Sequence, residues 1–155
     1  MARVDTPTAP RQALPPPVEE KGPVEEKAPA STRRPRRRRI LLIDDEAMIR
    51  AALRRSLGRM HDVTDTHDAR EALAWIADGA EFDAILCDFM MPAMSGDAFH
   101  DALSEVCPPM VSRLAFLTAA HSDHADQFFA RTRRPRLDKP FEPDELAELL
   151  VHLFP

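Results

Sequence analysis

Long apolar runs are missing from this sequence. The run at residues 40–43 is one of the longest, and it is far shorter than the roughly 20 residues that a helix needs to cross a bilayer. The N-terminal region has no apolar stretch of the length that a secretory signal requires. The sequence therefore predicts a chain without a membrane span, and we expect it in the cytoplasm.

Cysteine is also scarce. Cys87 and Cys107 are the two cysteines, they fall in different predicted elements, and they lack the spacing of metal ligands. This pattern disfavours both a disulfide framework and a zinc site. We expect two reduced thiols packed within the folded part of the chain.

Charge and proline are distributed unevenly. Residues 1–39 carry ten Lys and Arg against five acids, whereas residues 40–155 carry eleven against twenty-one, so a net charge of +5 precedes one of −10. An acidic folded part disfavours direct nucleic-acid binding by that part. Residues 1–37 hold eight of the fifteen prolines, and such a segment buries too little apolar surface to offset the entropy lost on ordering. The sequence predicts a disordered linker at 1–37 and one domain at 38–155.

An Arg-rich run at 33–39 joins these two parts. Such a run can bind nucleic acid or anionic lipid. Its position directly before a domain favours a solvated tether instead, and the sequence leaves both interpretations open.

From residue 40 onward, short apolar runs alternate five times with helical periodicity. Fully apolar runs are typical of strands buried on both faces, and parallel strands need helical crossovers between them. The pattern predicts an α/β fold, (βα)5, with a doubly wound five-stranded parallel sheet. The predicted strands are 40–43, 62–66, 84–87, 113–117 and 136–138. The predicted helices are 46–57, 68–77 with Asp68 as cap, 97–107 with Pro108 and Pro109 at its end, 123–131 and 143–153.

Polar side chains follow four of these strands, at the edge where such folds carry their functional site. Asp44 and Asp45 follow the first strand, Asp88 the third, Thr118 the fourth and Lys139 the fifth. Clustered carboxylates repel one another unless a cation joins them, and an all-oxygen site with open positions suits Mg²⁺. A facing lysine adds a positive charge for phosphoryl oxygens. Each residue alone is more often a turn former or a surface charge, but their joint placement favours a functional site.

Four motifs surround these residues: Leu-Leu-Ile-Asp-Asp-Glu at 41–46, Cys-Asp-Phe-Met-Met-Pro-Ala-Met-Ser-Gly at 87–96, Phe-Leu-Thr-Ala at 116–119 and Lys-Pro-Phe at 139–141. In this order and spacing they resemble the signatures of response-regulator receiver domains, and the likeness runs from residue 40 to the C-terminus. The resemblance implies a flavodoxin-like sheet with strand order 2-1-3-4-5. It also implies a role in two-component phosphorelay signalling.

The same resemblance implies a phosphoacceptor and a metal site. Asp88 corresponds to the residue that accepts a phosphoryl group from the phosphohistidine of a histidine kinase or phosphotransfer protein. Mg²⁺ is expected to bind Asp45, Asp88 and the backbone carbonyl of Met90 directly, and Asp44 through water.

Two further site residues and one departure follow from the resemblance. Thr118 would bond the transferred phosphoryl group, and Lys139 would neutralise another of its oxygens, with the peptide bond to Pro140 in the cis form. Three residues before the lysine, receivers usually carry an aromatic side chain that swings inward with the threonine. Arg136 stands at this position, so the sequence does not predict the usual aromatic switch.

Two other functions remain open at this point. A receiver-like protein-interaction module that no longer cycles phosphate would fit the departure at Arg136, but retention of all five site residues argues against it. A hydrolase with an aspartyl nucleophile would need a second Asp where Met90 stands. We expect a phosphoacceptor signalling module rather than an enzyme, either free-standing or the C-terminal receiver of a hybrid histidine kinase. It would act on a downstream protein and would contact no membrane.

Overall fold

The computed structural model describes residues 36–119 and 121–155. Most of the linker predicted at 1–37 lies outside the described residues, so that assignment stays a prediction. Within the described ranges, no helix is both long and apolar enough to cross a membrane.

Five strands form a single parallel sheet. Every residue of the three central strands except Arg39 is buried, and most of them are apolar. The two edge strands alternate between exposed and partly buried positions, apart from the buried Thr66 at the end of one of them. This difference reflects coverage by helices on both faces, which central parallel strands require. The strands are β1 (Arg39–Ile43), β2 (Asp62–Thr66), β3 (Ala84–Asp88), β4 (Leu114–Thr118) and β5 (Arg136–Asp138). Their order in the sheet is β2-β1-β3-β4-β5. The predicted fold class and strand order are confirmed.

Six helices accompany the sheet within the described residues, one more than the sequence predicted. They are α1 (Ala47–Leu57), α2 (Ala69–Ala77), α3 (Gly96–Val106), α4 (Pro108–Val111), α5 (Asp123–Thr132) and α6 (Pro143–Leu153). The extra helix is α4, a single turn at the two prolines that were expected only to end α3. Proline lacks an N–H and has a fixed φ, so it suits the first turn of a new helix as well as it stops an old one.

The two faces of the sheet carry separate apolar layers. Leu41, Ile85 and Phe116 belong to a layer that includes side chains of α2, α3, α4 and α5. Leu42 and Leu86 point the other way, into a layer completed by α1 and α6. Because side chains alternate along a strand, one apolar run supplies both layers. The sheet is therefore wound on both sides, as predicted.

Smaller sequence predictions can be compared with local structure as well. Asp68 caps α2, because its carboxylate accepts a hydrogen bond from the backbone N–H of Arg70 at 2.9 Å. Cys87 and Cys107 are free thiols, the first buried and the second half-buried. The predicted cap at Asp68 is confirmed.

The Arg-rich run makes its first described contacts at Arg37. The Arg37 guanidinium donates to a carboxylate oxygen of Asp62 at 2.7 Å and to the carbonyl oxygens of Gly58 and His61 at 2.8 and 2.7 Å. Arg38 pairs with Asp83 at 3.7 Å. These two arginines therefore bind the domain itself, as an anchor at its amino-terminal edge.

Candidate functional site at the carboxyl edge of the sheet

The carboxyl ends of the strands bring together four of the predicted site residues. Asp44 directly follows β1, Asp88 and Thr118 are the last residues of β3 and β4, and Lys139 directly follows β5. Asp44 is 1% exposed, Asp88 5% and Thr118 0%, so these polar groups lie within the protein rather than on its surface. Buried polar groups require partners, and those of the two carboxylates are the Lys139 ammonium and backbone N–H groups.

Lys139 is the cation of this group. Its Nζ donates to Oδ2 of Asp44 at 2.8 Å and lies 3.6 Å from Oδ2 of Asp88. Its backbone N–H donates to the carbonyl of Thr118 at 2.8 Å, which fixes the start of the loop after β5. The peptide bond between Lys139 and Pro140 is cis, as the resemblance implied.

Asp88 has an unusual protonation equilibrium. Its pKa is raised from 3.8 to about 6, mainly by burial and in part by the charges of Asp44 and Asp45. Lys139 and a hydrogen bond from the backbone N–H of Met90 act to lower it, but they do not outweigh burial. The Met90 N–H donates to Oδ1 at 3.2 Å. The ionised carboxylate is thus poorly compensated by the protein alone, and an added cation would favour it.

For the pKa of Lys139, the effect of neighbouring groups exceeds the effect of burial. Burial acts to lower its pKa, but the hydrogen bond to Asp44 and the charges of Asp88, Asp44 and Glu46 outweigh burial and raise it. Lys139 therefore carries a positive charge at neutral pH.

A cluster of three carboxylates lies at the mouth of the site. Asp44, Glu46 and Asp88 each offer an oxygen, and these oxygens lie within 4.8 Å of one another. This donor set contains only carboxylate oxygens and carries more negative charge than Lys139 neutralises, so it fits a hard divalent cation.

Glu46 was missed by the sequence analysis, although the acidic run Asp-Asp-Glu at 44–46 carried the signal. Asp45, the predicted direct ligand, is exposed and lines a neighbouring cleft with His67 and Asp68. Asp45 is not a member of the three-carboxylate cluster among the described residues, but its charge still raises the pKa of Asp88.

An open cleft of about 330 Å³ gives access to Asp88. Its lining also includes Glu46, Met90, Ala119, His121, Ser122 and Lys139. The Met90 residue is 62% exposed, so it borders the cleft without closing it. The cleft therefore leads from the surface of the protein to the Asp88 carboxylate.

Tight packing holds the loop that follows Asp88. A side chain at Gly96 would place its Cβ 2.7 Å from the Phe116 ring and 2.8 Å from Cα of Phe89, so only glycine fits where α3 begins. One residue later, Asp97 accepts a hydrogen bond from Nε2 of His124 on α5 at 2.8 Å. The first turns of α3 and α5 are thus joined by this hydrogen bond.

Arg136, at the position of the expected aromatic switch, lies over the ring of Phe129 with 4.9 Å between guanidinium carbon and ring centroid. It also pairs with Asp126 on α5 at 3.3 Å. A guanidinium on an aromatic face is favourable, particularly where it is partly desolvated. This position therefore links β5 to α5 through an arginine.

The family model of the response regulator receiver domain matches residues 40–151. The chain belongs to this family. The solved structure of the chemotaxis response regulator CheY4 from Vibrio cholerae is 30% identical to this receiver, with a TM-score of 0.65, and the match covers 76% of this chain and 99% of that one. A signal receiver domain from Pseudomonas fluorescens Pf-5, 24% identical with a TM-score of 0.66, shares the fold and covers 76% and 94% of the two chains.

Two curated relatives are much longer than this receiver. The hydrogenase transcriptional regulatory protein HoxA of Bradyrhizobium diazoefficiens is 31% identical over 112 residues, which are 70% of this chain and 22% of HoxA. The DNA-binding transcriptional regulator NtrC of Azospirillum brasilense is 29% identical over 117 residues, 72% of this chain and 23% of NtrC. The receiver thus spans less than a quarter of either relative.

Proposed function

We propose that this receiver accepts a phosphoryl group from the phosphohistidine of a histidine kinase or phosphotransfer protein onto Asp88. The observation that carries the proposal is the environment of the Asp88 carboxylate. It is nearly buried at a strand end, is held by the Met90 N–H, lies 3.6 Å from Lys139 Nζ, and opens into a cleft. A carboxylate that is positioned but poorly compensated is suited to attack phosphorus.

The transfer itself requires little covalent work from the protein. An Asp88 oxygen attacks the phosphorus in line, the phosphorus–nitrogen bond breaks, and its electron pair returns to the imidazole of the donor. The hydrogen bond from Met90 restricts rotation of the carboxylate, which favours the in-line approach. Lys139 supplies a fixed positive charge for the oxygens of the transferring group.

We further propose Mg²⁺ as the cofactor, held by Asp45, Asp88 and the Met90 carbonyl, with Asp44 in contact through water. Bound there, Mg²⁺ would neutralise charge on the transferring oxygens. The all-carboxylate cluster at this edge supports the assignment of a hard cation.

The output follows from the charge that phosphorylation adds. Thr118, at the end of β4, would bond the phosphoryl group and shift the loop that leads to α5. Because Arg136 ties β5 to Phe129 and Asp126 of α5, we propose that such a shift reaches the surface through this arginine. The receiver would then pass the signal to a downstream protein, in the cytoplasm and without direct contact to DNA or membrane. Its only chemistry would be its own phosphorylation and dephosphorylation.

Labelling with a small phosphodonor tests the proposal. The chain is incubated with acetyl phosphate and Mg²⁺, and its intact mass is measured. We expect one added phosphoryl group in the native chain and none in Asp88→Asn, while Asp78→Asn, an exposed change of equal charge, is labelled normally. A folded native chain that takes no label would favour the non-cycling interaction module, and a fully labelled Asp88→Asn would remove Asp88 from the acceptor role.

A further inference from the structure

We infer that three arginines at the amino end of the sheet, Arg39, Arg113 and Arg134, form a docking site for an acidic segment of a protein partner. These three residues are called the arginine row. Arg39 is the first residue of β1, and the other two lie directly before β4 and β5. Asp88 lies at the opposite end of the sheet, so binding at the arginine row is independent of the proposed phosphorylation.

Charge differs in sign between the loops at the two ends of the sheet. The segments that lead into the five strands are residues 36–38, 58–61, 78–83, 112–113 and 133–135. They carry seven arginines and three acids, a net charge of +4. The segments that follow the strands are residues 44–46, 67–68, 89–95, 119–122 and 139–142. They carry five acids and one lysine, a net charge of −4, so only the amino end attracts anions.

The arginine row differs from Arg37 and Arg38, which pair with carboxylates of the domain. None of its guanidinium groups forms an ion pair within the part of the chain that the structure describes. The guanidinium carbon of Arg39 lies 5.6 Å from the centroid of the Phe82 ring. Nη1 of Arg113 donates to the carbonyl oxygen of the same Phe82 at 2.7 Å. Two members of the row therefore meet at one residue and bring their positive charges together.

The third member is held in a similar way. Nη1 of Arg134 donates to the carbonyl oxygen of Val111 at 2.6 Å, just before the segment that contains Arg113. One such bond orients the planar fork and leaves other N–H donors for a ligand. An oriented guanidinium can bind a carboxylate through two parallel hydrogen bonds and loses little conformational freedom in doing so.

The spacing of the arginine row suits an extended peptide. Neighbouring strands are about 4.8 Å apart, so the backbones of Arg39 and Arg113, two strands apart, are separated by about 10 Å, and Arg134 lies about one strand further. Every second side chain of an extended peptide points to the same side, at intervals of about 7 Å. Acidic residues at alternate positions of such a peptide can therefore each meet one guanidinium.

Other anionic partners fit less well. Nucleic acid or an anionic membrane would extend past the arginine row over a domain whose residues 40–155 carry a net charge of −10, which repels a large polyanion. A second copy of the chain could offer its acidic carboxyl end. That contact would cover the cleft that leads to Asp88, and a head-to-tail contact does not close into a dimer. A short acidic segment of another protein avoids both problems.

Fluorescence anisotropy of the full chain measures this binding, with a short labelled peptide that has glutamate at every second position. We expect Arg39→Gln and Arg134→Gln each to weaken binding about 5-fold, the upper limit for one exposed ion pair. The same peptide with glutamine in place of glutamate should not bind. Arg70→Gln, an equal change of charge on an exposed side chain at the carboxyl end, is the matched control and should bind as the native chain does. Asp88→Asn should also bind the peptide normally.

The outcomes separate the possible partners. A native chain that does not bind the peptide, or native affinity in both glutamine variants, overturns the inference. Tighter binding of duplex DNA or phosphatidylserine vesicles, lost in the same variants, would assign the arginine row to nucleic acid or membrane instead. Self-association that these variants abolish would assign it to a second copy, and loss of binding in Asp88→Asn would place the peptide at the other end of the sheet.

The fold of each variant is verified by circular dichroism. Arg134→Gln removes a hydrogen bond to Val111 and can lower stability. Arg39→Gln then decides the test, because Arg39 is exposed and its side chain contacts the domain through the Phe82 ring.

Discussion

Charged side chains are arranged differently at the two ends of the sheet. At the amino end, Arg37 pairs with Asp62 at 2.7 Å and Arg38 with Asp83 at 3.7 Å, so each cation meets its own anion. At the carboxyl end, Asp44, Glu46 and Asp88 gather around Lys139. The first pairs are well exposed or partly exposed, whereas Asp44, Asp88 and Lys139 are mostly buried.

The ion pairs at the amino end attach the start of the chain to the domain, whereas the charges at the carboxyl end form the candidate functional site. Exposed pairs contribute little to stability, usually about 0–1 kcal/mol, and mainly fix where the chain lies. Buried like charges lower the stability of a protein. Proteins keep such an unfavourable arrangement mainly at functional sites, where a bound ligand can relieve it. The carboxyl end is therefore the part of the receiver whose stability should respond most to substitution, pH and metal.

The largest effect is expected for Lys139→Met. This change leaves the buried carboxylates of Asp44 and Asp88 without their ammonium partner, so unfolding by urea at pH 7 should show a loss of about 3 kcal/mol. Mg²⁺ should restore part of the loss. Arg55→Met, an exposed change on α1, is the control and should be nearly neutral. Equal stability of Lys139→Met and Arg55→Met would mean that water, rather than Lys139, compensates the charges of Asp44 and Asp88.

Asp88→Asn should act in the opposite direction. Without metal, the pKa of the folded carboxyl is about 6 instead of 3.8, so the folded chain holds this proton more tightly and its stability falls as pH rises from about 4 to about 6. Asn cannot ionise and escapes this penalty, which corresponds to about 3 kcal/mol above pH 6.

Urea unfolding in the presence of EDTA checks this pH dependence. We expect Asp88→Asn to exceed the native chain in stability at pH 7, with the difference disappearing near pH 4. Asp78→Asn should show no such trend. A difference that is constant over pH would assign the gain to packing rather than to ionisation.

The smallest effect is expected at the amino end. Removal of residues 1–35 should leave the melting temperature nearly unchanged, because a proline-rich segment of this composition contributes little buried area. Removal of residues 1–37 also takes away the hydrogen bonds of Arg37 to Asp62, Gly58 and His61, and should lower stability by at most about 1 kcal/mol. Thermal unfolding of both truncations measures the difference. A large fall in melting temperature on removal of residues 1–35 would contradict the assignment of this segment as a linker.

Much of the fold could be predicted from the sequence, because periodicity records burial directly. The apolar run at 40–43 and the strand at 62–66 were found within a residue of their observed bounds. The joint placement of Asp44, Asp88, Thr118 and Lys139 at one edge followed from topology, since parallel strands end on the same side.

Features that depend on side-chain direction could not be predicted. Sequence order placed Asp45 and Glu46 side by side, but the turn after β1 directs them into different clefts. The stacking of Arg136 on Phe129 depends on the register of β5 against α5, which no local pattern encodes. The sequence did not predict the short helix α4, because proline can both end one helix and begin another.

The edges of the sheet have a consequence for solubility. An uncovered edge strand offers unpaired backbone groups to other chains, and proteins limit this risk with short strands and charged side chains. Here β5 has three residues, two of them Arg136 and Asp138, and Pro135 precedes it. On the other edge, β2 begins with Asp62 and carries Asp65. Strand-to-strand aggregation through either edge of the sheet is thus disfavoured.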